Sequence, residues 1–518
     1  MPTITFNPSN GSRLAMLGIL LLTWSLLVSS GQRRSLWVDE LFSVRVASAP
    51  TSGEVVQGVM LRERRPPGYH LAVHYWLRLV GDHDVGLRVM SISAATIAIA
   101  LTFQLGRMVG GWRTGLLAAL LLAASPFLFL FGPMVRYYSL TMVLGSASTL
   151  VFLCLPICPH QTSLWIGYWL SSAALVAVDY PALALLLIQN LVFLWRWQRY
   201  RSLLRRWIIV QLLLAAETLL WLHSALIQAG RNLIEADLAR GALGFMLKLL
   251  YPLYSFSVGE TIFPWRPMAL LGLTVMALFF LNGCRQRGEH VTSPRTLVPF
   301  ALLPVLTTAL ILYFISTDIT FLGMGSRSAF AVPFFYTVVA AGAVSSPQGQ
   351  ESHPERFYWR LAGVALLMVV FAIADANAWA GREYHNPIYA VPTREIAAYV
   401  SANARPEDVV ISDPDVGFDR YYDRTGARPL HYFSNELTCD ELEGLEAKRV
   451  WLLTFGRDRT RLVDPAREMV TCLEKRYELV KTRGYVPQDP IYSAIKARLL
   501  HRANYRYKAL LRLYARRE

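Results

Sequence analysis

The apolar run LAMLGILLLTWSLLVSS, residues 14–30, is closely followed by Trp37-Val38-Asp39-Glu40. A helix needs roughly 20 apolar residues to cross a bilayer, and this run is of that order. No small-residue cleavage site follows it, so we expect a retained signal-anchor. Charge beside lipid is costly, and acids at the end of a span mark functional sites more often than chance. The segment therefore predicts a membrane protein with chemistry at the outer end of its first span.

The composition supports a polytopic α-helical membrane protein. The 518 residues are 54% hydrophobic and their mean hydropathy is +0.34, which is too apolar for a soluble globule. Apolar runs of sufficient length predict about 11 spans, within a range of about 11 to 13. They lie at 14–30, 85–109, 114–132, 138–156, 163–178, 180–196, 207–226, 267–283, 297–316, 327–345 and 360–379. The net charge of +15 reflects cytoplasmic loops and contact with membrane lipids, and no nucleic-acid partner is expected.

The short loops predict the orientation in the membrane. Arginines cluster in four of them, near residues 107–113, 196–206, 285–295 and 356–360. Because cytoplasmic loops carry an excess of Lys and Arg, an internal N-terminus puts all four loops inside. The first loop (31–84), the loop 227–266 and the region from Gly381 then lie outside. The prediction requires two short helices that meet at Asp179, since one long helix over 163–196 would invert everything downstream.

The sequence divides into a membrane domain, 1–380, and a more polar C-terminal part. Buried strands that alternate with helices predict a small extracytoplasmic α/β domain over 381–490. The strands are predicted at 408–412 and 449–454, and the helices at 393–403 and 464–475. The last segment, 491–518, is basic with an apolar stripe, which indicates an amphipathic tail helix on anionic lipid. A solvated tail is the alternative.

The cysteines and histidines leave two questions open. Cys439 and Cys472 can form a disulfide if their region is extracytoplasmic, and are otherwise two buried thiols. The segment 68–81 covers about 20 Å as a helix, too short to cross the membrane, and its pattern predicts an interfacial helix. On it, His70 and His74 have the spacing of metal ligands, although a polar stripe is the plainer explanation. We therefore expect no cofactor, with a divalent metal as the alternative.

An acid pair and an arginine of the first outer loop suit group transfer. Asp39-Glu40 is suited to general-base catalysis, or alternatively to capping the helix predicted at 41–49. Arg65 precedes the rigid corner Pro66-Pro67, and a guanidinium binds phosphate through two parallel hydrogen bonds. A solvated loop is the alternative for this arginine.

Two further arginines oppose the positive-inside trend. Arg136 lies in the very short loop after span three, and Arg327 opens a late span on the outer side. For Arg136 the alternative is a side chain that extends to lipid phosphate. Acids and arginines at one face of a membrane domain suit a lipid-linked phosphate substrate, with the phosphate on the arginines and an acid to activate an acceptor hydroxyl. The candidates to line the substrate cavity are Tyr69, His70, Tyr137, Asp179, Tyr180 and Glu260.

At these residues the chain resembles the clan C membrane glycosyltransferases. It is most similar to the branch of bacterial protein O-mannosyltransferases and lipid A aminoarabinose transferases. The matching motifs are Trp37-Val38-Asp39-Glu40, Arg65-Pro66-Pro67, Gly86-Leu87-Arg88, Arg136-Tyr137-Tyr138-Ser139-Leu140 and Ser326-Arg327 through Pro333. The resemblance covers about residues 1–345, and its first 150 or so residues carry the specific motifs.

The resemblance implies a mechanism and a set of roles. Members of the family take a sugar from a polyprenyl-phosphate donor and invert its anomeric centre. Carried over, Asp39 is the general base and Glu40 supports it. Arg65, which stands where Lys is usual, binds the donor phosphate together with Arg136 and Arg327.

The expected function is therefore an inverting glycosyltransferase, for a hexose or a pentose, in the cytoplasmic (inner) membrane. Its active site would be extracytoplasmic, and its acceptor a lipid, a glycan or a protein. The chain departs from the family pattern at Asp179-Tyr180, where members often show His-Tyr, so the role of that histidine is not carried over. A transporter or flippase for lipid-linked sugars is one alternative. An oligosaccharyltransferase-like enzyme that uses a diphosphate-linked glycan is the other.

Overall fold

The computed structural model of the chain describes all residues except 1–9, 64, 230–240, 287–291, 315–322, 345–353, 415–416, 423–428, 445–446, 457–464, 488, 492, 495–506 and 518. The first part of the membrane domain contains α1 (Asn10–Arg33), α2 (Val38–Ala47), α3 (Ser52–Arg62), α4 (Gly68–Val80), α5 (Asp84–Ala123), α6 (Pro126–Phe131), α7 (Tyr138–Cys154), α8 (Thr162–Val178), α9 (Leu183–Trp195), α10 (Trp197–Tyr200) and α11 (Leu204–Ala229). The second part contains α12 (Gly241–Val258), α13 (Pro267–Arg285), α14 (Pro294–Ala301), α15 (Leu303–Phe314), α16 (Met324–Arg327), α17 (Val332–Val344) and α18 (Pro354–Trp379).

Helix α5 is a sharp hairpin of two helical halves. Gly110 and Gly111 interrupt it with non-helical backbone angles. Gly111 has a φ of +78°, which favours glycine because it has no Cβ. The halves pack so closely that a Cβ on Gly106 would lie 2.6 Å from the Cα of Gly115. The separate runs predicted at 85–109 and 114–132 therefore fold back on each other.

The chain also turns back at Asp179, as the topology requires. Helix α8 ends at Val178, and Asp179 is extended. The Tyr168 hydroxyl of α8 donates to Gln189 Oε1 of α9 at 2.9 Å. Tyr168 and Gln189 are 21 residues apart and could not touch in one continuous helix. Helices α8 and α9 therefore pack as an antiparallel pair, and one helix over 163–196 is excluded.

Five helices are long and apolar enough to cross a membrane, among the residues that the structure describes. They are Gly11–Arg33, Asp84–Ala123, Pro267–Arg285, Pro294–Leu312 and Phe357–Trp379, and shorter apolar helices lie between them. Helix α12 was not predicted; it lies inside the loop predicted at 227–266 and packs against α13, α15 and α16. The total of about eleven spans stays a prediction.

The C-terminal part forms a mixed five-stranded sheet with helices around it. Its strands and helices are α19 (Thr393–Asn403), β1 (Val409–Ser412), α20 (Phe418–Tyr422), β2 (Leu430–Phe433), α21 (Cys439–Gly444), β3 (Arg449–Phe455), α22 (Pro465–Arg476), β4 (Tyr477–Pro487) and β5 (Tyr507–Arg516). The strand order is β2-β1-β3-β5-β4. β1 is parallel to β2 and β3, and β5 is antiparallel to β3 and β4. The predicted α/β architecture and its two buried strands are present.

The amphipathic tail helix predicted over 491–518 is wrong for its last part. Tyr507–Arg516 is strand β5, which pairs on both sides and completes the middle of the sheet. Its apolar residues at 509, 511 and 513 pack into the core of the domain. Every second residue points to the same face of a strand, so this spacing is typical of a strand with one buried face. Residues 495–506 lie outside the described part.

Cys439 and Cys472 form a disulfide in this structure. It joins α21 to α22, with the two Cα atoms 5.6 Å apart. Of the two alternatives that the sequence left open, the bonded one is therefore observed.

Candidate functional site

The loop after α1 presents Asp39 and anchors Glu40. Both lie in the first turn of α2, where the helix dipole stabilises acidic side chains. The Asp39 side chain is 44% exposed, whereas that of Glu40 is 1% exposed. Glu40 accepts hydrogen bonds from the backbone N–H groups of Trp37 and Val135, at 3.1 and 2.8 Å, and its carboxylate is 3.1 Å from Arg88 Nη2. Glu40 is thus the helix cap and anchor, and the carboxylate available to a ligand is that of Asp39.

Arg136 lies at the centre of the site, with its side chain 4% exposed. Its Nη1 donates to Glu63 Oε1 at 3.1 Å and to Ser43 Oγ at 2.9 Å. The same atom donates to the Asp39 carbonyl at 3.2 Å, and Nη2 lies 3.7 Å from Asp39 Oδ2. The buried guanidinium therefore faces Asp39 instead of extending to lipid phosphate.

Arg65 and Asp179 form a second ion pair beside it. Their side chains are 17% and 0% exposed, and Arg65 Nη1 donates to Asp179 Oδ1. The guanidinium carbon of Arg65 also lies 3.9 Å from the centroid of the Tyr137 ring, a cation–π contact. Within the described part of the chain, Asp179 Oδ2 is buried without a hydrogen-bond partner. The break between α8 and α9 thus places the Asp179 carboxylate beside Arg65, the arginine that was predicted to bind phosphate.

Arg327 reaches the same group of charges from the other half of the membrane domain. It ends the short helix α16, and its charge lowers the pKa values of both Asp39 and Asp179, although other effects exceed it. Its Nη1 is buried and has no hydrogen-bond partner among the described residues, which exclude the preceding segment 315–322. The three arginines predicted to meet at one anionic site therefore act on the same two carboxylates.

The pKa values of the acids in the site are shifted in different directions. Desolvation raises the pKa of Asp39, and Arg136 opposes the rise. Burial likewise raises the pKa of Asp179 to about 6, against the opposing charge of Arg65. For Glu63 burial also disfavours the charged form, but Arg136 and the other cations outweigh it and hold the pKa below its usual value. Glu63 is therefore the fixed counter-ion of Arg136, whereas burial shifts the pKa values of Asp39 and Asp179 upward.

The other predicted cavity residues fall into two groups. Tyr69 and His70 are buried on α4, with their rings edge to face, and Tyr137 stands between Arg65 and Arg136. These three line the site.

Tyr180 and Glu260 lie further away. The Tyr180 hydroxyl donates to the Trp221 carbonyl at 2.6 Å, which ties Tyr180 to α11. Glu260 lies behind the turn that carries Arg327, since a Cβ on Gly325 would be 3.2 Å from its Oε1. Burial raises its pKa to about 7, with Ser255 opposing. Glu260 therefore backs the site without contacting the three arginines.

The histidine pair serves the packing of α4. His70 Nε2 lies 3.4 Å from Glu63 Oε2, and burial lowers the pKa of His70 to about 4. His74 Nδ1 donates to the Ala47 carbonyl at 2.8 Å and so joins α4 to α2. No group of three or more His, Cys, Asp or Glu side chains that could hold a metal occurs in the described part of the chain.

Three residues that organise the site were not among the predicted site residues. Glu63 is the counter-ion of Arg136, and a lone acid among arginines was a signal that could have shown it. Arg88 belongs to the motif Gly86-Leu87-Arg88, to which no site role was assigned. Its guanidinium binds the Gly31 carbonyl, the Arg34 and Ser35 carbonyls at 2.6 and 3.1 Å, and Glu40. Tyr389, whose ring lies 4.8 Å from that of Trp37, left no sequence signal.

The site and fold together define a helical membrane protein with a buried cluster of acids and arginines at one end of its bundle. No family model and no curated protein matches the chain. Among solved structures it is similar to ArnT from Cupriavidus metallidurans bound to undecaprenyl phosphate, with a TM-score of 0.52 and 12% identity over 98% of both chains. The apo state of the same protein gives a TM-score of 0.54 at 12% identity, over 97% of this chain and 98% of that one. The likeness shows that the chain shares the fold of ArnT, and membership of the clan C membrane glycosyltransferases stays a prediction. The branch within the clan stays a prediction.

Proposed function

We propose that the protein is an inverting glycosyltransferase that moves a sugar from a polyprenyl-phosphate donor to an acceptor hydroxyl. The observation that carries the proposal is the half-exposed Asp39 carboxylate, 3.7 Å from the buried Arg136, with Arg65 and Arg327 around it. A base beside concentrated positive charge is the pairing that this reaction needs. The fold supports the proposal, because ArnT with the same fold has been solved with undecaprenyl phosphate bound.

The chemistry needs few groups. The acceptor hydroxyl gives its proton to Asp39 while its oxygen forms a bond to the anomeric carbon, and the bond from that carbon to the phosphate oxygen breaks. The leaving group is a phosphate that is already stable as an anion, so it requires positive charge rather than a general acid. Arg65, Arg136 and Arg327 supply that charge, and Tyr137 holds the plane of Arg65 by stacking.

We further propose that the site lies outside the cytoplasmic membrane. The Cys439–Cys472 disulfide supports this location for the C-terminal domain, because disulfides persist in oxidising compartments. The basic loops at the opposite helix ends support it independently. In this orientation the donor tail lies between the helices, and a lipid, a glycan or a protein acceptor approaches from outside.

The test replaces the proposed base. Asp39→Asn removes the proton acceptor but keeps the shape of the side chain, so transfer from a polyprenyl-phosphate sugar should fall by at least about 100-fold. Binding of the donor, measured separately by titration, should change little. Glu54→Gln is the matched control, since Glu54 is an exposed acid of the same outer segment. Turnover of Asp39→Asn close to that of the control would remove Asp39 as the base.

A further inference from the structure

The C-terminal domain is hydrogen-bonded to the loop that precedes Asp39. The Leu36 backbone N–H donates to the Tyr421 hydroxyl at 2.8 Å, and that hydroxyl donates to Asp84 Oδ2 at 2.7 Å. Leu36 is 1% exposed and Tyr421 7% exposed. A buried backbone N–H that loses its acceptor destabilises the fold, because no water replaces the lost partner. The loop therefore depends on a residue nearly 400 positions further along the chain for one of its buried hydrogen bonds.

Two arginines of the same domain strengthen the contact. Arg394 donates to Asp84 Oδ2 at 2.5 Å and, through its backbone N–H, to Ser35 Oγ at 3.0 Å. Arg420 donates to Asp84 Oδ1 from Nε at 3.1 Å and to Asp82 Oδ1 from Nη2 at 2.7 Å. Asp84 is 7% exposed, so these are charge-assisted bonds in a partly desolvated interface.

Asp84 transmits the contact to the site through the first turns of α5. Asp84 and Arg88 are four residues apart on one helix and share a face. Arg88 holds the Arg34 and Ser35 carbonyls and the Glu40 carboxylate. The loop before Asp39 is therefore held on one side by Arg88 and on the other by the C-terminal domain.

Close packing makes the same contact at α2. Gly417 has a φ of +63°, and a Cβ there would lie 2.1 Å from Leu41 Cδ1. Any side chain at 417 would push on the helix turn that carries Asp39. The domain thus rests directly on the element that presents the proposed base.

We infer that the C-terminal domain positions Asp39 for catalysis by clamping the loop 34–37 through Tyr421, Arg394 and Arg420. The inference rests on the proposed function of Asp39. Tyr421 acts through the backbone of Leu36 and is a positioning residue, since it contacts neither Asp39 nor the three site arginines in this structure. A displacement of about 1 Å at a reacting group is enough to cost about 100-fold in rate, so the clamp controls turnover and leaves donor affinity to the arginines.

The experiment compares Tyr421→Phe with Tyr422→Phe in the full-length protein. Both remove one buried hydroxyl from α20, but that of Tyr422 donates to the Pro429 carbonyl inside the domain at 3.3 Å. Tyr421→Phe should lower kcat at least about tenfold, while the KM and binding affinity for a polyprenyl-phosphate sugar stay within about twofold. Tyr422→Phe should leave kcat unchanged. Hydrogen–deuterium exchange should accelerate in the peptide 34–41 for Tyr421→Phe alone.

The outcomes separate the clamp from the proposed function. Unchanged exchange in 34–41, or equal kcat for the two variants, overturns the clamp even if Asp39→Asn is inactive. An active Asp39→Asn with accelerated exchange in Tyr421→Phe overturns the base and keeps the structural contact. If Tyr421→Phe fails to fold, Arg394→Gln tests the same contact, because Arg394 is 45% exposed and its loss is tolerated more easily.

Discussion

We predict that Asp179 competes with a polyprenyl-phosphate donor for Arg65, so that its replacement strengthens donor binding in a pH-dependent way. The two side chains are paired in the free protein, and Asp179 is 0% exposed. Burial raises its pKa to about 6, so lowering the pH through that value protonates the carboxyl and releases Arg65. A phosphodiester donor keeps its single charge over this range, so the change in affinity reports on the protein.

The size of the effect follows from the fraction of protonated Asp179. If only that form binds the donor, the apparent Kd is the intrinsic Kd divided by this fraction. With a pKa of about 6, the fraction is about one tenth at pH 7 and about one hundredth at pH 8. Asp179→Asn should therefore bind about 10-fold more tightly than the native protein at pH 7, about 100-fold more tightly at pH 8, and nearly equally at pH 5.

Titration calorimetry with a polyprenyl-phosphate sugar between pH 5 and 8 measures this directly. The matched control is Asp408→Asn, because Asp408 is also 0% exposed and pairs with Arg449 at 2.6 Å, but within the C-terminal domain. A native protein whose affinity does not change across this range, or an Asp179→Asn variant that binds no more tightly at pH 8, would refute the competition between Asp179 and the donor.

Three further outcomes are expected. Arg136→Lys should weaken donor binding about tenfold and lower turnover, because an ammonium cannot hold Glu63 and Ser43 in the fork geometry of a guanidinium; binding equal to the native protein would contradict this. Replacing Cys439 and Cys472 by Ser should destabilise the C-terminal domain by about 2–4 kcal/mol, measured by thermal unfolding with and without reductant. An impermeant maleimide should label Asn435→Cys, which is exposed, on intact cells, and labelling only after lysis would put the domain inside.

The sequence by itself determined the local features of this protein. Apolar runs of span length and the position of Asp39 after the first of them predict the membrane fold and the candidate base. The periodicity of 68–81 predicts α4, and short buried runs predict β1 and β3. These features depend on the order of residues within one segment, because the spacing of its apolar residues indicates which face is buried.

Tertiary structure alone decided which charges meet and how the last strand is used. Arg65 and Asp179 are 114 residues apart, and Arg136 and Glu63 are 73 apart, so no local pattern connects them. The strand Tyr507–Arg516 has apolar residues that also suit a basic amphipathic helix, and pairing with β3 and β4 selects the strand. A short segment has little conformational preference of its own, and the hydrogen bonds and burial that its distant neighbours offer determine its structure.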